Sequence, residues 1–148
     1  MNLISKILIS AFIFIGFSAC KKDNGFSNIP EIKLRDFYKI TSEEAVWKIG
    51  FKDGDGDVGV RNVDDPDNFI VTIFSIKNGK DSLVQGQNYR VPIIKGVVTE
   101  NGVEGEISLK IDYSLYKIVG IDSAYYSGYL VDRAGNHSNT IITPKFRI

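Results

Sequence analysis

The chain has 148 residues, and its 18 basic and 18 acidic side chains leave no net charge at neutral pH. This length fits a single domain, and the balanced charge gives no bulk attraction to nucleic acid. Cys20 is the only cysteine, so an internal disulfide is excluded, and no thiolate remains beyond it for a zinc site or a nucleophile.

A short apolar run opens the chain. Residues 7–17 are almost wholly apolar, follow a single positive charge at Lys6, and precede Lys21 and Lys22. A signal-peptide core is about 7–15 residues long, whereas a membrane-spanning helix needs about 20. The run therefore predicts a secretory signal peptide over residues 1–19. The alternative is a buried N-terminal helix, but the run is apolar on all sides and no helical partner follows it.

The residues around the predicted cleavage point are more specific. Phe17-Ser18-Ala19-Cys20 resembles the lipobox of bacterial lipoproteins, with phenylalanine in place of the usual leucine. The resemblance implies that the Cys20 thiol carries a diacylglycerol and that the leader is cut before it. Two or more acyl chains anchor a protein stably. We therefore expect a lipid-anchored protein of the bacterial outer membrane or cell surface, with the periplasmic face left open, and a polar tether over residues 20–30.

Period-2 alternation dominates from residue 31 onward. Residues 69–76 are apolar on both faces and β-branched, which indicates a central strand. Asn78-Gly79 and Asn101-Gly102 are hairpin-turn signals, and Pro92 indicates an edge or a bulge. The predicted strands cover Ile32, Leu34, Tyr38 and Ile40, then residues 45–51, 69–76, 82–84, 89–94, 97–99, 107–113, 124–132 and 140–148.

About seven or eight short strands at regular spacing favour an all-β fold, an antiparallel β-sandwich, with a β-barrel as the alternative. The connection over residues 114–123 is compatible with one turn of helix.

Two motifs resemble parts of immunoglobulin-like domains. Residues 122–126 look like the start of strand F, where a tyrosine hydrogen-bonds back across the corner, and Tyr126 would be that tyrosine. Gly128 then stands at the family's second cysteine position, and Trp47 lies on a different strand from the family's core tryptophan. Residues 132–139 resemble the turn before the last strand of bacterial immunoglobulin-like and cadherin-like modules.

The loop after the second predicted strand is strongly acidic. Asp53, Asp55 and Asp57 alternate with glycines, and residues 52–67 hold six carboxylates against two basic side chains. Glycines let the backbone curl so that oxygens converge, and calcium takes about six to eight oxygen ligands. The helix–loop–helix calcium motif does not fit, because Val58 replaces its glycine and the flanks are strands. Only the alternating aspartates support a site.

The predicted topology adds ligands from a second loop. If residues 45–51 form strand B and residues 124–132 form strand F, the B–C and F–G loops lie at the same end of the sandwich. Asp132 and the amide or carbonyl of Asn136 would then complete a calcium shell with the three alternating aspartates. The alternative is a solvated loop in which aspartate and glycine make tight turns.

With the leader and the acidic loop, the whole chain is similar to small lipoproteins of the Bacteroidetes type. The resemblance implies an immunoglobulin-like domain over residues 31–148 and an address outside the cytosol, but no reaction. The chain shows no serine-nucleophile motif and no phosphate-binding loop.

We expect a non-enzymatic, membrane-anchored binding or structural module with calcium as an optional ion, a protein or glycan partner of unknown identity, and no nucleic-acid partner. The alternative is a carbohydrate-binding accessory module, which exposed coplanar tyrosines would favour. A hydrolase, the third hypothesis, needs His137 beside an acid and a nucleophile.

Overall fold

The computed structural model describes residues 25–84, 86–93 and 96–148 of the chain. The predicted signal peptide and the predicted lipid attachment at Cys20 lie outside these residues. Across the described ranges, no helix is both long enough and apolar enough to cross a membrane.

Two antiparallel sheets form the domain. Along the chain the elements are β1 (Glu31–Lys39), β2 (Glu44–Asp53), β3 (Phe69–Lys77), β4 (Lys80–Val84), β5 (Val97–Thr99), β6 (Gly102–Asp112), α1 (Ser114–Ile118), β7 (Ser123–Leu130), β8 (Ile141–Ile142) and β9 (Phe146–Arg147). One sheet has the order β1-β2-β6-β5 and the other β4-β3-β7-β8, with β9 also paired to β7. These are the orders A-B-E-D and C′-C-F-G of an immunoglobulin-type sandwich, so β2 is strand B and β7 is strand F. The predicted sandwich is confirmed.

Several local predictions are also confirmed. Asn78 and Gly79 both have positive φ, 52° and 72°, as a two-residue hairpin turn requires. The helical turn expected after β6 is α1. In contrast, the strand predicted over residues 89–94 is not formed: its described residues Tyr89 and Pro92 make only isolated bridges, because proline cannot donate to a ladder.

The two ends of the chain differ from prediction. The register of β1 against β2 shifts just after Leu34, which reverses the faces. Phe37 therefore packs inward, with its ring 5.0 Å from that of Phe146, whereas Tyr38 and Ile40 are exposed. The strand predicted over residues 140–148 is split into β8 and β9 around Pro144, and the described residues form nine strands in all.

Residues 25–30, which we name the strap, belong to the predicted tether but contact the domain. The Phe26 N–H donates to the Asn101 carbonyl at 2.6 Å, and the Gly54 N–H donates to the Ser27 carbonyl at 2.8 Å. Pro30 is fully buried. The body of the domain therefore begins near residue 25 instead of residue 31.

Trp47 lies at the centre of the core. Its side chain is fully buried, and its ring meets Phe69 edge-on at 5.3 Å and stacks on Tyr126 at 6.3 Å. A methyl group on Gly128 would lie 3.0 Å from the Trp47 indole and 2.9 Å from the Phe69 ring. Trp47 on strand B therefore fills the space between strands B and F that the missing side chain of Gly128 leaves open.

The corner hydrogen bond expected of Tyr126 is not formed, so that prediction is wrong. The Tyr126 side chain is buried in the core, and within the described part of the chain its hydroxyl has no hydrogen-bond partner. Alternation along β7 is the cause, because it turns Ala124, Tyr126 and Gly128 to the inner face. Burial raises the pKa of Tyr126 above its usual range.

The packing around Gly128 generates a stability prediction. We expect Gly128→Ala to lower the free energy of unfolding by about 1–3 kcal/mol, because the added methyl overpacks two aromatic rings. Ser127→Ala, on the partly exposed face of the same strand, should change it by less than about 0.5 kcal/mol. Urea unfolding measures both, and equal stability of the two variants would contradict this account of the core.

Candidate metal centre

The alternation that turns every second side chain of β2 and β7 into the core continues to the last residue of β2 and just beyond the end of β7. Asp53 follows buried Phe51 by two residues in β2, and Asp132 follows buried Leu130 by two residues after β7. Because strand side chains alternate with period 2, both carboxylates lie on the inner face. Asp53 is 0% exposed and Asp132 is 6% exposed.

Asp57 completes an acidic cluster from the B–C loop. Carboxylate oxygens of Asp53, Asp57 and Asp132 lie within 4.8 Å of one another. The Asp57 N–H donates to Asp53 Oδ2 at 2.7 Å, and the Ala134 N–H donates to Asp57 Oδ2 at 2.9 Å. The acidic loop therefore folds back on the end of strand B and meets the F–G loop.

Two oxygens of the cluster lack a donor. Asp53 Oδ1 and Asp57 Oδ1 are buried and accept no hydrogen bond from any described residue. A buried polar group left unpaired costs about 1–3 kcal/mol, and more when it is charged. Calcium binds oxygens at about 2.3–2.6 Å, so a single ion between the carboxylates can reach oxygens that are 4.8 Å apart. The spacing and the free oxygens fit a hard cation.

Asn136 holds Asp132 in place. Its backbone N–H donates to Asp132 Oδ1 at 2.7 Å, and its side-chain Nδ2 donates to Asp132 Oδ2 at 2.8 Å. The Asp132 N–H in turn donates to the Asn136 carbonyl at 3.1 Å. These contacts orient the Asp132 carboxylate, and the ligand role expected of Asn136 stays a prediction.

Asp55 lies outside the three-carboxylate cluster. Its side chain is exposed, and it acts on the cluster through its negative charge. Of the five predicted calcium ligands, the structure therefore brings together the carboxylates of Asp53, Asp57 and Asp132.

Arg133 joins the two loops and was missed in the sequence analysis. Its N–H donates to the Asp57 carbonyl at 3.3 Å, and its guanidinium donates to the Gly59 carbonyl at 2.9 Å. Its charge partly offsets the rise in the pKa of Asp57. The available signal was a basic residue directly after Asp132, but no spacing rule links it to a loop 74 residues away.

The cluster resists full ionisation. Burial raises the pKa of Asp53 to about 6, the Asp57 N–H opposes that rise, and the charges of Asp55, Asp57 and Asp132 add to it. Burial also raises the pKa of Asp57, with Asp132 and Asp55 adding to the effect. A bound cation would offset this repulsion at neutral pH.

A cavity of about 570 Å³ lies beside the cluster, between the B–C loop and the segment after β7. Its lining includes Asp132 and Arg133 from the segment after β7 and Arg61, Asp65 and Asn68 from the B–C loop. The cluster therefore borders an open cavity through Asp132.

Two pairs of aromatic side chains stack outside the buried core. Tyr125 stacks on Phe74 at 4.8 Å with an 8° angle between the rings, and Lys145 lies over the Tyr125 ring at 5.5 Å. Tyr129 stacks on exposed His137 at 5.1 Å. Neither ring offers the exposed coplanar tyrosine pair that would favour carbohydrate binding. Stacking of His137 on Tyr129 gives no support to the hydrolase hypothesis.

The raised pKa of Asp53 predicts a pH-dependent penalty in the absence of metal. Because the folded-state pKa of about 6 exceeds the ordinary 3.8, ionisation of Asp53 lowers the free energy of unfolding. This penalty is absent below pH 3.8, builds up between pH 3.8 and 6, and levels off above pH 6 at no more than about 3 kcal/mol. In chelator, Asp53→Asn should therefore match wild type near pH 4 and be more stable at pH 7.

Urea unfolding of both proteins from pH 4 to pH 7 measures this difference. The asparagine oxygen still accepts the Asp57 N–H, so Asp53→Asn removes the charge and keeps that hydrogen bond. A variant that is less stable than wild type at pH 7 in chelator would contradict the electrostatic account.

Comparisons with known proteins identify no family. No protein-family model and no curated protein matches the chain. Among solved structures, it is similar to wild-type OgpA from Akkermansia muciniphila, with 14% identity, a TM-score of 0.46, and coverage of 89% of this chain and 34% of OgpA. It is also similar to Spo0M, a sporulation control protein from Bacillus subtilis, with 11% identity, a TM-score of 0.40, and coverage of 81% and 48%. The chain spans less than half of either structure, and neither similarity carries an argument about function.

Proposed function

We propose that this chain is a lipid-anchored, non-catalytic β-sandwich module of the bacterial cell envelope. A calcium ion held by Asp53, Asp57 and Asp132 stabilises the loop end of the sandwich. The module serves as a binding or spacer domain held at the membrane through Cys20.

One observation carries the calcium proposal. Asp53 is fully buried, its Oδ1 and that of Asp57 are buried without a hydrogen-bond donor among the described residues, and the two residues belong to a cluster whose carboxylate oxygens lie within 4.8 Å of one another. A solvated turn leaves its carboxylates in water, as Asp55 and Asp64 are. Buried charges are instead paired or bound to metal, and no basic side chain of the described residues forms a salt bridge with the cluster. A divalent cation supplies the missing partner.

Calcium suits the cluster better than magnesium. Magnesium requires near-ideal octahedral geometry and keeps several waters, whereas calcium accepts irregular sets of oxygens. The three carboxylates come from a strand end, a loop and a second loop, which makes an irregular set. Extracellular calcium modules bind with dissociation constants of about 10⁻⁴–10⁻³ M, and we expect this range.

Calcium should raise the thermal stability of the full chain, purified in non-ionic detergent. At 100 times the dissociation constant, a ligand adds about 2.7 kcal/mol to the free energy of unfolding, which corresponds to roughly 10 °C in Tm for a domain of this size. Calorimetric titration and thermal unfolding measure the binding and the shift. Sodium chloride at matched ionic strength controls for screening.

Matched variants distinguish the aspartates that bind calcium from an aspartate that only adds negative charge to the loop. Asp57→Asn and Asp132→Asn should lose most of the calcium-dependent shift because each removes a cluster carboxylate. Asp64→Asn, an exposed aspartate of the same loop, should keep it. No heat and no thermal shift up to about 100 mM calcium, 100 times the weakest expected dissociation constant, would rule out the site.

The lipid anchor predicts a modified cysteine. Mass spectrometry of the membrane fraction should find Cys20 at the N-terminus with a diacylglycerol on its thiol, and Cys20→Ser should release the chain from membranes. The lipobox-like Phe17-Ser18-Ala19-Cys20 and the apolar run before it support this prediction. An unmodified Cys20 in the membrane fraction would contradict it.

A further inference from the structure

The strap contacts the residues that hold the cluster carboxylates. The Ser27 carbonyl accepts from the N–H of Gly54, the residue after Asp53. The Asn28 carbonyl accepts from Asn136 Nδ2 at 3.3 Å, and the same Nδ2 donates to Asp132 Oδ2 at 2.8 Å. These two strap contacts are therefore each a single covalent or hydrogen-bonded step away from a cluster residue.

We infer that cation binding at the acidic cluster clamps the strap against the domain, so that the cluster controls how the chain leaves the sandwich toward its N-terminus. The inference rests on the proposed calcium site and adds a role to it. The partner regulated by the ion is a segment of this same chain.

The physical reason is the repulsion within the cluster. Without a cation, three converging carboxylates favour loop conformations that move Asp57 and Asp132 apart. Such movement shifts Gly54 and Asn136, which donate the two hydrogen bonds to the strap. A bound cation offsets the repulsion, keeps both donors in place and so holds the strap.

Coupling of this kind is reciprocal. If the ion stabilises the docked strap by some factor, the docked strap raises the affinity for the ion by the same factor. Loss of the strap contacts therefore weakens calcium binding even though no strap residue belongs to the cluster.

The clamp has a consequence for an anchored chain. Cys20 precedes Gly25 by five residues, and an extended chain spans at most about 3.6 Å per residue. With the strap docked, Gly25 lies within roughly 18 Å of a lipid on Cys20. With the strap released, its six residues lengthen the connection and free the orientation of the domain.

Amide hydrogen exchange on the full chain in non-ionic detergent tests the clamp. The readout is the Phe26 N–H, which belongs to the strap and donates to the Asn101 carbonyl outside the cluster. We expect its exchange to slow by about fivefold or more in calcium relative to chelator. Calorimetry on the same sample measures calcium binding separately.

Gly54→Ala is the sharpest variant. A methyl group there would collide with the Phe26 carbonyl and with Asn28 Oδ1, so it displaces the strap and leaves the three carboxylates unaltered. Calcium affinity should fall by the same factor by which calcium slows Phe26 exchange in wild type. Gly50→Ala, within β2, is the matched control, because the three heavy atoms nearest to its added methyl all belong to the flexible Arg35 side chain.

Phe26→Ala gives a second route that leaves the acidic loop untouched. It removes the ring beneath Lys52 Nζ, 4.9 Å from the ring centre, and should also reduce the effect of calcium on strap exchange. If wild type binds calcium while Phe26 exchange is unchanged, or if Gly54→Ala binds calcium as tightly as Gly50→Ala, the clamp is wrong and the calcium site stands. If wild type binds no calcium, both proposals fail.

Discussion

The alternation of side chains along strands B and F is the constraint on which both the core and the acidic cluster depend. On β2 it turns Trp47 inward and, six residues later, Asp53; on β7 it turns Tyr126 inward and leads to Asp132. A slip of one residue would move each of these side chains to the opposite face. The shift in β1 after Leu34 shows the effect, because it exposes Tyr38. The register that buries the tryptophan therefore also gathers the carboxylates.

The cluster carboxylates accept hydrogen bonds from neutral donors, so their negative charge is offset only in part, by nearby Arg133. Backbone N–H groups of Asp57, Ala134 and Asn136 fix the three carboxylates, while the guanidinium of Arg133 is bound to loop carbonyls. Neutral donors position carboxylates without neutralising them. The fold therefore presents a preorganised set of oxygens whose net charge is suited to a cation, at the end of the sandwich where the strap also docks.

The sandwich and two cluster members could be predicted from period-2 patterns, because alternation in residues 45–51 and 124–132 fixes the inner face. Asp53 lies two residues after inward-facing Phe51, and Asp132 lies two residues after inward-facing Leu130. Their burial therefore follows from the period of two along a strand. The bulge in β1 could not be predicted in this way, since a single extra residue leaves the apolar composition unchanged. The sequence predicts a tether for the strap because its polar composition is typical of a flexible linker. Its contacts with the domain could not be predicted, because they join residues far apart in the sequence.

The choice between Asp55 and Asp57 shows where sequence reasoning stops. Both fit an alternating ligand pattern, but Gly56 adopts a positive φ of 70°, which lets the loop turn so that the Asp57 N–H reaches Asp53. Asp55, on the outer side of that turn, is left exposed.

The glycines of the motif therefore have separate tasks. Gly56 turns the chain, and Gly54 leaves room for the strap, because a methyl group there would meet the Phe26 carbonyl. Asp53 and Asp57 contribute carboxylates to the cluster, and Gly54 makes the contact with the strap. The seven residues from Asp53 to Gly59 thus connect the acidic cluster to the strap, through which the chain leaves the domain.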